Sequence, residues 1–71
     1  MPRKIRDLKA DLRAAGFGER SGKGSHTVWH HPLVAGRLVL SGHDGDDARR
    51  YQEQAIREAL NELREAQRRQ P

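Results

Sequence analysis

The chain has 71 residues, no cysteine, a formal charge of +4 and only 34% hydrophobic residues. That excludes a disulfide scaffold and a thiol nucleophile, and it leaves room for one small core whose stability is expected to lean on a partner. No apolar run approaches the ~18 residues of a membrane span, and Met1-Pro2-Arg3-Lys4-Ile5-Arg6 lacks the apolar stretch of a signal peptide, so the expected location is the cytoplasm.

Residues 3–15 read as a helix: Ile5, Leu8, Leu12 and Ala15 form one apolar stripe, with Arg and Lys on the other faces. Gly16 suits the position after the helix end, and Phe17 can close that end by packing back. Arg20, Ser21 and Gly22 belong to a short first strand or its turn, and Gly22-Lys23-Gly24 makes a hairpin connection. Ser25 to His31 reads as a second strand that Pro32 ends. A turn around Gly36 in residues 33–36 precedes a third strand over residues 37–41. Ser41 to Asp47 is a loop whose acids sit where a following helix N-terminus prefers negative charge.

The last helix is expected over about residues 47–68. Ala48, Tyr51, Ala55, Ala59 and Leu63 mark its apolar stripe, widened by Ile56 and Leu60. At ~1.5 Å per residue it would be roughly 30 Å long, and its last turns are expected to project or fray. The fold class is α+β: the order α-β-β-β-α, with two helices on one face of a three-stranded antiparallel sheet, is that of a double-stranded-RNA-binding domain. The whole chain, 1–71, is read as one domain.

Charge is unevenly spread. Residues 1–43 hold eight Lys/Arg against three Asp/Glu, whereas residues 44–71 hold six against seven, and all four histidines fall in the first part. This asymmetry favours a nucleic-acid face on the strands and loops. Lys4, Arg6, Lys9 and Arg13 could line a phosphate track or simply form a solvated helix face.

Chemistry concentrates in Gly22-Lys23-Gly24-Ser25-His26. Glycines at 22 and 24 permit positive φ and close approach of the backbone to a ligand. Lys23 supplies a point charge suited to phosphate, Ser25 adds a hydroxyl, and His26 can transfer protons near neutral pH. A polyanion fits this set better than an apolar ligand, and RNA is the polyanion that makes the histidine useful. In strand parity His26, Val28 and His30 share one face and Thr27, Trp29 and His31 the other. Val28 and Trp29 compete for the core: a solvent-facing Trp29 could stack a base, but the core is the favoured place for it. That would leave His26 and His30 together on the open face, while His31, beside Pro32, is expected to be structural or at an edge.

Gly16-Phe17, Arg20, Gly22-Lys23-Gly24-Ser25-His26, His31-Pro32 and a strand running into His43 together resemble the HicA family, the small mRNA-interferase toxins of bacterial type II toxin–antitoxin pairs. The resemblance covers roughly residues 4 to 60. It departs after the third strand, where Ser41-Gly42 replaces the family's proline before the histidine. It implies the same fold and a metal-independent endoribonuclease activity in which His26 is catalytic. Arg20, Lys23, Gly24, Ser25 and His30 are the expected RNA contacts, and a HicB-like antitoxin is the expected partner. No cofactor is expected.

Other motifs fail on detail. A zinc site lacks cysteine and a His-x₃₋₅-His pair on a helix. Asp44-Gly45-Asp46-Asp47 would need glutamate where Ala55 stands to be a calcium loop. Phe17 occupies the first glycine position of a Walker A motif ending at Gly22-Lys23. Two other functions use the same fold: an RNA-binding module that does not cut, and an interaction module whose long helix makes a homo-oligomer or docks another protein.

Overall fold

A computed structural model describes residues 2–69. Its elements are α1 (Ile5–Ala14), β1 (Gly18–Ser21), β2 (Thr27–His31), β3 (Val34–Leu40) and α2 (Arg50–Arg69). The strands form one antiparallel sheet in the order β1-β2-β3, so the fold is α+β with the expected α-β-β-β-α order.

Both helices lie on one face of the sheet because each has one apolar stripe to bury. Ile5, Leu8 and Leu12 of α1, Trp29 of β2, Leu40 of β3, and Ile56 and Leu63 of α2 join Phe17 and Ala48 in one buried cluster. Trp29 is fully buried, in the core rather than at the open face where it could stack a base. Its indole N–H donates to Thr27 Oγ1 at 2.9 Å, and the Arg13 guanidinium lies 5.5 Å from its ring centroid. This satisfies the one polar atom that burial would otherwise orphan.

The end of α1 is built as the sequence suggests. Gly16 takes φ 92°, its N–H bonds to the Arg13 carbonyl, and the Phe17 N–H reaches back to the Leu12 carbonyl, both at 3.0 Å. This double closure is the Schellman arrangement, with buried Phe17 supplying its apolar contact.

Several boundaries differ from the expectation. The second hairpin turns at Pro32-Leu33, not around Gly36, and the Leu33 N–H donates to His31 Nδ1 at 3.0 Å. Gly36, at φ 75°, instead lies inside β3, where the pairing shifts from Trp29↔Leu38 to His31↔Val34. Extra residues on β3 there form a bulge, and glycine is the residue that tolerates its left-handed backbone. β1 begins earlier than expected, at Gly18.

The last helix starts at Arg50 rather than Asp47 and runs to Arg69. Tyr51, placed on the apolar stripe by spacing, is 63% exposed. Gln52 takes the inward position one turn before Ile56. Its side chain accepts the Arg49 N–H at 2.8 Å and donates to the Ser41 carbonyl at 2.9 Å. Two satisfied hydrogen bonds make a buried amide acceptable there, and they set the helix phase that turns Tyr51 out.

The acidic loop serves the other helix. The Ile5 and Arg6 N–H groups, unpaired within α1, donate to the carbonyls of Asp46 and Asp44 at 2.9 and 3.2 Å. Asp47 pairs with Lys4, and Asp44 with Lys9 at 2.7 Å. Acidic groups near this N-terminus also suit the positive end of the helix dipole. The expected cap on α2 is therefore a cap on α1.

Candidate active site

Between β1 and β2, Gly22 to His26 form a closed turn. The Gly22 N–H donates to the His26 carbonyl at 2.9 Å, and the His26 N–H to the Lys23 carbonyl at 3.1 Å. Gly24 alone of its two glycines takes positive φ, at 60°. Gly22 answers a different need, since a Cβ there would stand 3.2 Å from the His26 carbonyl oxygen. His26 therefore belongs to this turn and not to β2, which begins at Thr27.

The imidazole of His26 is exposed, and its Nδ1 lies 3.0 Å from the Lys23 carbonyl oxygen. A carbonyl can only accept, so Nδ1 carries the proton. In the neutral ring this leaves the Nε2 lone pair free, the tautomer a general base requires.

A second loop completes the cavity. Ser25 Oγ accepts the Gly42 N–H at 3.2 Å, tying the turn to the segment after β3. The residue following each partner, His26 and His43, then lines one open cavity of about 330 Å³ with Lys9, Thr27 and Asp44. The backbone of His43 is held at both ends: its N–H donates to Asp46 Oδ2, and its carbonyl accepts the Asp46 N–H, each at 2.9 Å. The Lys9 side chain is only 12% exposed and reaches the cavity with its ammonium bonded to Asp44. That hydrogen bond, then the charge of Lys9, holds the Asp44 carboxyl below its ordinary pKa.

His30 does not join His26. It lines a separate depression of about 220 Å³ on the open sheet face, with Arg20, Val28 and Arg37. The two histidines part because His26 has left the strand, so strand parity no longer applies to it. Gly18, paired with His30 across β1 and β2, leaves room for the imidazole: a Cβ at that position would stand 2.8 Å from its Cε1. His31 is structural, half-buried with its ring 5.2 Å from that of Phe17.

The α1 phosphate track is largely neutralised. Lys4, Lys9 and Arg13 pair with Asp47, Asp44 and Glu19. Arg20, Lys23 and Arg37 are exposed and have no ion-pair partner among the described residues. His43 and Arg37 were not among the candidate site residues named from the sequence, yet His43 lines the cavity of His26 and Arg37 the depression of His30. Lys9, left between a phosphate track and a solvated helix face, lines the His26 cavity. The feature of the sequence that precedes His43 is Ser41-Gly42, a small-residue lead-in like the one before His26. Among the described residues, no three His, Cys, Asp or Glu side chains are grouped to hold a metal ion.

Against known proteins, the family model described as "HicA toxin of bacterial toxin-antitoxin" matches residues 5–67. No curated protein and no solved structure gives a significant match. The match spans both helices and all three strands apart from the last residues of α2, and takes in both loops of the cavity. The chain belongs to the HicA toxin family of bacterial toxin–antitoxin systems.

Proposed function

We propose that this protein is a metal-independent endoribonuclease, an mRNA interferase acting in the cytoplasm, and that His26 carries the reaction. The observation that supports this most is the state of the His26 ring, exposed and tethered through Nδ1 so that Nε2 is free to take a proton. In this reading Nε2 accepts the proton of a ribose 2′-OH, and the 2′-oxygen attacks the adjacent phosphorus. Gly24 and Ser25, which line the cavity of His26, and the exposed Lys23 beside them border the cleaved phosphate, while Arg20 and His30 hold the strand farther along the open sheet face, where Arg37 adds a third basic group. A HicB-like antitoxin would then inhibit by covering Arg20 to His31, where charge and chemistry coincide.

The test compares wild type and His26→Ala on a labelled single-stranded RNA. Cleavage is expected to fall by ~10²–10⁴-fold, with an unchanged circular dichroism spectrum. Equal cleavage by the variant would remove His26 from the chemistry. RNA retained without cleavage by either protein would make the fold a binding module.

A further inference from the structure

We propose that His43 is the general acid of this site, protonating the 5′-oxygen that leaves when RNA is cut. The inference rests on the endoribonuclease reading above and extends it to a second histidine.

Transesterification of RNA needs two proton transfers. One proton leaves the 2′-OH as the 2′-oxygen–phosphorus bond forms; another must reach the 5′-oxygen as its bond to phosphorus breaks. The products are a 2′,3′-cyclic phosphate and a 5′-hydroxyl. His26 can take the first proton at Nε2, but a ring that has just accepted a proton on one side of phosphorus is badly placed to deliver another on the opposite side. In-line attack puts the entering and leaving oxygens on opposite sides, so two groups facing one phosphate serve better than one.

His43 meets those requirements. It lines the cavity that His26 lines, and it comes from a different loop. The placement is specified by the fold: Ser25 Oγ holds the Gly42 N–H, and Asp46 binds the His43 backbone. Its side chain is exposed, as a group that must meet substrate has to be. The charged and titratable groups that line the same cavity are His26 on the β1–β2 turn, Lys9 on α1 and Asp44 on its own loop, and Asp46 accepts its backbone N–H. Lys9, mostly covered and bound to Asp44, is held at the wall of the same cavity. When His26 gains its proton and His43 loses one, the charge of the pair is unchanged, and a second turnover requires only exchange with water.

The test uses two RNA substrates, one ordinary and one with sulfur replacing the 5′-bridging oxygen at the cut. A thiolate, whose parent acid has a pKa of about 8.5, leaves without protonation. His43→Ala and His43→Gln should each cleave ordinary RNA ~10²–10⁴-fold more slowly, yet cleave the sulfur substrate within about tenfold of wild type. The alkaline limb of the wild-type pH–rate profile should disappear in both variants, and circular dichroism should be unchanged. His26→Ala should stay slow on both substrates. If the His43 variants cut ordinary RNA at the wild-type rate, or remain slow on the sulfur substrate, His43 is not the acid, while a slow His26→Ala leaves the endoribonuclease reading standing. If wild type cuts neither substrate, that reading and this proposal fall together.

Discussion

At the scale of the residue, the chemistry depends on small groups that make room for or tether larger ones. Gly18 is the clearest case, because its missing Cβ is where the His30 ring lies. Gly18→Ala should displace His30 and shift its imidazole proton resonances, while thermal stability changes by less than about 1 kcal/mol, since only the far end of a movable ring must give. Unmoved resonances would show that the strand yields instead. Arg20 and Lys23 lend themselves to a different measurement. Each has no ion-pair partner among the described residues, so each is available to phosphate. Replacing either with Ala should weaken RNA binding equally across sequences and reduce the salt slope by about one unit per lost contact. A slope that does not change would place the side chain outside the RNA track. The Lys-Gly-Ser-His turn was legible because its residue types state their own chemistry. The separation of His26 from His30 was not, because it depends on where β2 begins, and that is set by hydrogen bonds across the turn.

At the scale of the element, the segment between β3 and α2 is held from three sides, and this is how His43 comes to face the cavity. Gln52 is the innermost of these ties. Gln52→Ala would leave the Ser41 carbonyl without its donor and the Arg49 N–H without its acceptor, at a cost of roughly 1–3 kcal/mol in urea unfolding. The same change should lower RNA cleavage by loosening the loop that carries His43. A variant as stable as wild type would show that water replaces both bonds. The Asp44–Lys9 pair ties the loop to α1 from the other side. Because the Asp44 carboxyl is held below its ordinary value, its contribution to stability is full above the unfolded-state pKa and is lost as pH falls through the folded one. The gap in melting temperature between wild type and Asp44→Asn should therefore be largest near neutral pH and close below about pH 4. A gap that persists in acid would mean that the side chain acts by geometry and not by charge. The acids of this loop were visible as a cluster in the sequence, but their target was not. An Asp-rich loop before a helix caps that helix by default, and only the contacts with Lys4, Ile5, Arg6 and Lys9 show that it caps the first helix.

At the scale of the whole molecule, a chain with 34% hydrophobic residues builds a one-sided core and leaves the other face of its sheet open. That face and the adjoining turn carry Arg20, Lys23, His26, His30 and Arg37, while Glu58 and Glu62 of α2 border a groove on the opposite, helix-covered side. In the proposed complex the antitoxin should present acidic groups to the basic side, associate more slowly as salt rises, and raise the melting temperature by binding only the native state. Equal modification of His26 by diethyl pyrocarbonate in the free and complexed toxin would mean that inhibition does not work by covering it. No described helix is long and apolar enough to cross a membrane. The sequence by itself determined the α+β class, the α-β-β-β-α order, and the stripe of α1 with its glycine stop. All of these follow from local periodicity and residue type, which act over a few neighbouring positions. Tertiary structure decided the phase of α2, the bulge at Gly36 and the helix that the acidic loop caps. It also decided which histidine lines one cavity with His26. Those outcomes rest on hydrogen bonds between residues distant in the chain, such as Ser25 with Gly42 and Gln52 with Ser41, and no local pattern encodes which distant donor meets which acceptor.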